Sequence, residues 1–259
     1  MNQSLTYIHP DAKIGENVSI EPFVTIQKNV EIGEGTWIGP YVTIMEGARI
    51  GKNCKIFAGA VISSIPQDLK FIGEDTTVEI GDNTTIREYV TVNRGTKARG
   101  KTTIGNNCLL MTYAHIAHDC EIGNNVIIGN ADQIAGEVVI DDFAILSASV
   151  LVHQFVHIGA HVMISGGSLV RKDVPPYIKA AKEPLSYVGI NSIGLRRRNF
   201  ENSTINEIQN IYRILFMKDL NNTAALLHIS NEVSQSEERD LIINFIKNSS
   251  RGIMKGFTK

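Results

Sequence analysis

From residue 8 to residue 170 every sixth position is Ile, Val or Leu in one unbroken phase, with only Asp68, Glu74 and Ala98 departing from it. The position four after each of these aliphatics is small along most of the run, as at Val18, Ala48, Cys54, Cys108 and Ala144. Glycine often follows the aliphatic directly, as at Gly33, Gly51, Gly105 and Gly123. Strand side chains alternate with a period of two, so the aliphatic and the small residue two before it project to the same side. The two residues that follow must turn the chain. Glycine at the first and proline at the second (Pro10, Pro22, Pro40) suit a corner where no ladder N–H is required. Such a period is the signature of a hexapeptide β-helix. Three hexads close a triangular coil of about 18 residues, coils stack at ~4.8 Å, and positions 18 apart become vertical neighbours.

Two segments interrupt the rhythm without changing its phase: IPQDLKFIGEDT from Ile65, and GTKARGK from Gly95. Loops thrown out from a coil corner cost no core contacts, so they are where a solenoid can place binding groups. The pattern stops at RKDVPPY, where Pro175 and Pro176 are expected to end the last coil. This divides the chain into a β-helix domain, 1–174, and a C-terminal helical domain, 175–259. In the second part Thr204 to Glu207 reads as a capping box, opening a helix with Ile205, Ile208, Tyr212, Leu215 and Phe216 on one face. Further helices are predicted over Thr223–Ile229 and Ser236–Ile246, the last burying Leu241, Ile242, Phe245 and Ile246. About three helices should pack on the end of the prism.

Composition narrows the function classes. The 259 residues are 43% hydrophobic, and 25 basic against 27 acidic residues leave a net charge of -2, without the global positive field of nucleic-acid binders. No apolar run approaches the ~20 residues of a membrane span, and MNQSLTYIHP lacks a basic region followed by an apolar stretch, so the expected address is the cytoplasm. Cys54, Cys108 and Cys120 all fall on the small inward position, which explains them as core fillers without disulfide or metal.

The densest polar cluster is AHIAHDC, residues 114–120. His118 occupies a corner, Asp119 follows it, and His115 should point outward from a flat face. One and two coils above His118 stand Gly136 and Gln154, with His153 beside the latter. This edge stacks a base, a backbone free of side chain and polar donors over about 10 Å. Acyl transfer to a hydroxyl needs that set. A neutral imidazole can take the alcohol's proton as it attacks a thioester, an adjacent carboxylate can hold the ring in one tautomer, and a backbone N–H can meet the oxyanion. Against this, a corner histidine can be a solvated surface residue. Three histidines of one segment, His153, His157 and His161, invite a metal reading, but their spacing points them in different directions. Arg196, Arg197 and Arg198 could hold a diphosphate or form a solvated basic turn.

With HIAHDC, IPQDLKF, VHQF, IGAHVMISGG, DVPPY and GLRRRNF present in order, the chain resembles the UDP-N-acetylglucosamine O-acyltransferase family of lipid A biosynthesis over essentially its whole length. The resemblance implies a left-handed parallel β-helix with a small helical domain, assembled as a homotrimer with active sites between subunits. It also implies transfer of a 3-hydroxyacyl group from acyl carrier protein to the glucosamine 3-hydroxyl of UDP-N-acetylglucosamine, with no metal or cofactor. In that reading His118 is the general base, Asp119 its partner and Gly136 the oxyanion donor. Gln67, Asp68 and Lys70 would approach the sugar nucleotide, His115, Gln154 and Asn191 would add polar contacts, and Arg197 and Arg198 would meet the phosphates. His153 would line the acyl entrance, while Met163 and Gly166 lie along the groove that measures chain length. Glycine at 166 leaves room for a longer chain. The family pattern often has histidine where this chain has Glu137, and an acidic residue at Ile193. Glu137 is expected beside the nucleotide sugar, where it could accept hydrogen bonds from hydroxyls and would repel a phosphate. The rivals are an acetyl-CoA-dependent hexapeptide enzyme, a metal-dependent hydratase and a non-catalytic scaffold. Lys172, Lys179 and Lys182 are unranked candidates for the carrier-protein surface.

Overall fold

Thr25–Ile26 pairs in parallel with Thr43–Ile44, which pairs with Val61–Ile62, so residues eighteen apart are indeed vertical neighbours. The computed structural model describes residues 5–217 and 220–256; the first four residues, part of the stretch read above for a leader, lie outside them. Most strands are two residues long, because a hexad leaves only two extended positions between corners. They stack into three faces of nine, eight and eleven strands among the described residues. The chain visits the faces in turn and so has three edges: the first joins faces one and two, the second joins two and three, the third joins three and one. The result is a left-handed parallel β-helix carrying a small α-helical cap.

The core follows the clock. Ile26, Ile44, Ile62, Ile116 and Ile128 are completely buried, as are the small inward residues Val42, Ala60 and Ala114. At the base the expectation fails: Ile8 and Ile14 are 40% and 37% exposed, because the lowest coil has no neighbour beneath it. The three cysteines are buried free thiols; burial pushes each thiol up, Cys120 to about 12. Along the second edge glycine serves close approach. A Cβ on Gly33 would stand 2.6 Å from the backbone of Gly51 in the next coil. Beside this column runs a ladder in which Lys52 N donates to Asp82 Oδ1 (2.7 Å), Asp82 N to Asn106 Oδ1 (2.7 Å), Asn106 N to Asn124 Oδ1 (2.9 Å) and Asn124 N to Asp142 Oδ1 (2.7 Å). Corner amides that no strand could pair are thereby satisfied.

Asp132 is the one inward small position filled by a carboxylate. It is fully buried and accepts hydrogen bonds from Gly129 N and Val150 N, both at 2.7 Å. Burial outweighs those bonds and pushes it up to about 6. Because the folded value lies above the ~3.9 of an unfolded Asp, its contribution is most favourable below about pH 4 and is lost as pH rises through 6. Asp132→Asn carries no such titration. The stability of the natural protein relative to this variant should therefore fall by on the order of 2 kcal/mol between pH 4 and pH 7, read from urea midpoints.

Pro175 and Pro176 do not end the sheet. Pro176 lies in a corner that needs no ladder N–H, and Ile178–Ala181 continues the third face by pairing with Met163–Ile164. Ser186–Ile190 adds an antiparallel strand and Lys255–Gly256 a further one. The helices are α1 (Ser192–Arg197), α2 (Asn202–Met217), α3 (Asn222–Glu232) and α4 (Glu237–Asn248). Thr204 is not a cap: α2 starts two residues earlier, with Ile205 N bonding Glu201 O. Ser236 does cap α4, accepting from Arg239 N, but Leu241 is 40% exposed because Ile242, Ile243, Phe245 and Ile246 fill the buried face. Buried Asp173 ties the C-terminal segment to the prism by accepting from His157 N and Ser249 Oγ.

Candidate active site

Both interruptions of the repeat leave the first edge, on successive coils. The longer one lies between Val61–Ser64 and Thr77–Ile80, the shorter between Thr91–Asn93 and Lys101–Ile104. Across them the register stretches, Val61 pairing with Thr91 and Thr91 with His115, so the loops add twelve and six residues to the coil. The next rung of that edge is His118.

Residues 118 and 119 would diverge on a straight strand. At this corner Asp119 adopts φ 59°, which folds the two side chains together, and His118 Nδ1 lies 2.8 Å from Asp119 Oδ2. The short insertion closes on the same carboxylate: Thr96 N (2.9 Å) and Arg99 N (3.1 Å) donate to Oδ1, and Thr96 Oγ1 (2.6 Å) donates to Oδ2. Burial alone would raise this carboxyl, but the bonds from Thr96 and His118 prevail and hold it below its ordinary value. Ionised Asp119 only accepts, so Nδ1 carries a proton, and in the neutral ring it is Nε2 that presents the lone pair. The long excursion brings Asp68 Oδ2 to 4.0 Å from that Nε2.

Gly136 forms the rung above. Its carbonyl accepts from Phe155 N, Glu137 N donates to His118 O at 3.0 Å, and the Gly136 N–H has no hydrogen-bond partner among the described residues. A Cβ here would lie 2.6 Å from both Cε1 and Nε2 of His118. Gly136→Ala should therefore push the ring aside and cut turnover roughly tenfold to a hundredfold, with unchanged circular dichroism. His115 points outward from the first face as expected, its Nδ1 2.7 Å from Thr91 Oγ1. Burial, then the proximity of His118, lowers its pKa.

The remaining candidates are dispersed. Gln67 and Lys70 are exposed on the excursion, where Lys70 N bonds Asp68 Oδ1 at 2.9 Å. Glu137 and Gln154 stand on the first edge, and exposed His153 has Nδ1 3.2 Å from Arg251 Nη2. Met163 projects from the third face, and Gly166 lies on the third edge, where a Cβ would come 2.9 Å from Ala148 O. Asn191 is buried; its Oδ1 caps α1 at Gly194 N, and its Nδ2 donates to His161 O. Arg198 reaches the second edge, donating to Phe143 O at 3.1 Å and covering the Phe143 ring, while Arg197 is exposed. One chain thus unites His118, Asp119, Gly136 and Asp68 and leaves Met163, Gly166, Asn191 and the arginines on other faces and edges. His157 and His161 have separate surroundings, Asp141 and Phe245 for the first, Phe143 and Tyr177 for the second. Thr96, Arg99 and Arg251 were not legible as site residues. For the first two the available signal was that GTKARGK departs from the rung directly below His118.

The hexapeptide β-helix places the chain in the class of hexapeptide-repeat transferases, here with a paired imidazole and carboxylate on one edge. The bacterial transferase hexapeptide family matches residues 29–64 and 101–130, and domain 2 of UDP-N-acetylglucosamine O-acyltransferase matches 173–254. The solved UDP-N-acetylglucosamine acyltransferase of Bacteroides fragilis is 54% identical, covers 98% of this chain and 100% of its own, and superimposes with a TM-score of 0.96. The acyl-[acyl-carrier-protein]–UDP-N-acetylglucosamine O-acyltransferase of Aliivibrio fischeri (strain MJ11) is 43% identical over 96% of this chain and 97% of its own. The chain belongs to the UDP-N-acetylglucosamine O-acyltransferase family.

Proposed function

We propose that this acyltransferase moves an (R)-3-hydroxyacyl group from acyl carrier protein to the glucosamine 3-hydroxyl of UDP-N-acetylglucosamine, the first step of lipid A biosynthesis. The observation that carries the reading is the convergence of both repeat-breaking loops on one imidazole–carboxylate pair, the short one on Asp119 and the long one beside His118 Nε2, next to a side-chain-free backbone. His118 Nε2 takes the proton of the sugar hydroxyl as its oxygen attacks the thioester carbon. Asp119 stabilises the imidazolium, and the Gly136 N–H donates to the oxyanion. Collapse breaks the C–S bond, and the proton passes from His118 to the departing thiolate.

Asp68 accepts from a sugar hydroxyl, with Gln67, Lys70, His115, Glu137 and Gln154 around the nucleotide sugar. Asn191 adds a polar contact at the N-terminus of α1, and Arg197 and Arg198, at the other end of that helix, meet the phosphates. His153, Met163 and Gly166 line the acyl path. Since these groups lie on different faces and edges of one prism, a complete site draws on neighbouring copies, which supports a homotrimer with sites between subunits. Among the described residues no helix is long and apolar enough to cross a membrane, and the proposed cytoplasmic address follows that of the carrier-protein donor. Incubation of UDP-N-acetylglucosamine with a mixed pool of hydroxyacyl carrier proteins should yield a singly acylated nucleotide sugar by mass spectrometry, with longer chains favoured by Gly166. Product formed only from acetyl-CoA would overturn the donor assignment, and short chains alone would overturn the role of Gly166.

A further inference from the structure

We infer that Thr96, delivered by the six-residue insertion at Gly95, is a positioning residue that sets the tautomer and proton affinity of His118 through Asp119. The inference rests on His118 being the base. Thr96 is 7% exposed and touches no reacting atom. Its hydroxyl oxygen accepts from Ala98 N at 3.1 Å, so its single hydrogen is committed to Asp119 Oδ2. Its backbone N–H takes Oδ1. One residue therefore holds both carboxylate oxygens and fixes the plane in which Oδ2 meets the imidazole.

The insertion is built to keep Thr96 there. Thr76 Oγ1 donates to Gly95 O (2.6 Å), Gly95 N to Thr77 O (3.2 Å) and Gly100 N to Thr96 O (2.8 Å), tying the loop at both ends. A Cβ on Gly95 would come 2.3 Å from Lys101 N, so the neck of the loop closes only on glycine. A hexapeptide coil needs none of these six residues for its core. Two of them, Thr96 and Arg99, bond the Asp119 carboxylate.

Asp68 from the long excursion and the His115 ring from the same coil also lie near His118, while Arg99, whose guanidinium pairs with Glu121, and Glu137 meet this corner through their backbone N–H groups. Thr96→Val alters none of them. It keeps the backbone donor and the volume but removes the hydroxyl hydrogen, so Asp119 binds the imidazolium proton more strongly and holds the ring less firmly. The expected result is a roughly tenfold fall in kcat, as loss of one hydrogen bond to a charged group allows. KM for UDP-N-acetylglucosamine should change less than about twofold, and the acidic limb of the kcat/KM profile should move to higher pH. Thr96→Ser should restore both kcat and the limb. Thr96→Ala, which empties space instead of filling it, should reproduce the limb shift even if valine impairs folding. In a His118→Ala background Thr96→Val should have no further effect on the residual rate. An unmoved acidic limb in the valine and alanine variants, or failure of serine to restore it, would overturn the inference while leaving His118 as the base. Normal turnover by His118→Ala alone would instead overturn the underlying reading.

Discussion

His118→Ala is expected to lower kcat at least ~100-fold, the loss typical of a missing general base, while leaving the fold and its melting temperature close to those of the natural protein. The fold should survive because the ring lies outside the core, on the backbone of Gly136. The buried partner should survive as well. Without the imidazole, Asp119 still accepts from Thr96 N, Thr96 Oγ1 and Arg99 N, so no uncompensated charge is left inside the corner. KM for the nucleotide sugar should rise little, since Asp68, Lys70 and His115 remain in place. Steady-state kinetics with a thermal melt on the same sample check both halves, and turnover within a few-fold of normal would favour the non-catalytic scaffold.

Ile128→Asn should do the reverse. Ile128 is fully buried on the third face, stacked between Leu110 below and Leu146 above. Asparagine there loses the apolar burial of the isoleucine and strands an amide among aliphatics, at a cost on the order of 5 kcal/mol or more. The repeat offers nowhere to relax, because adjacent coils are held at strand spacing by ladder bonds on all three faces. Soluble yield and urea midpoint should fall sharply, whereas Ile128→Val should cost only about 1 kcal/mol. A stability of Ile128→Asn equal to that of Ile128→Val would refute the stacked-core account.

Much of this was open to reading in one dimension. The register of the coils, the burial of Ile26 to Val170, the thiol character of the cysteines and the vertical order of His118, Gly136 and Gln154 all follow from counting sixes. Where the count lacked neighbours it misled: Ile8 and Ile14 obey the clock yet face solvent at the open base. In the cap, Thr204 has the capping spacing but lies inside α2, and Leu241 is apolar but outside the buried face. Helix ends and faces there depend on what the helices pack against. Arg196 and Arg197, which could equally have belonged to a solvated basic turn, lie in α1, because Asn191 finds both a helix N-terminus and the His161 carbonyl.

The amino-acid order by itself determined the prism, the two loops and the rung on which a base stands, because a repeating local period converts sequence distance directly into height along one axis. It could not determine where the loops land. That Thr96 clamps Asp119, that Asp68 comes within 4.0 Å of His118, and that Arg198 goes to a different edge was decided only in the tertiary structure. Loop conformations and contacts between edges arise from packing across coils that no periodicity encodes.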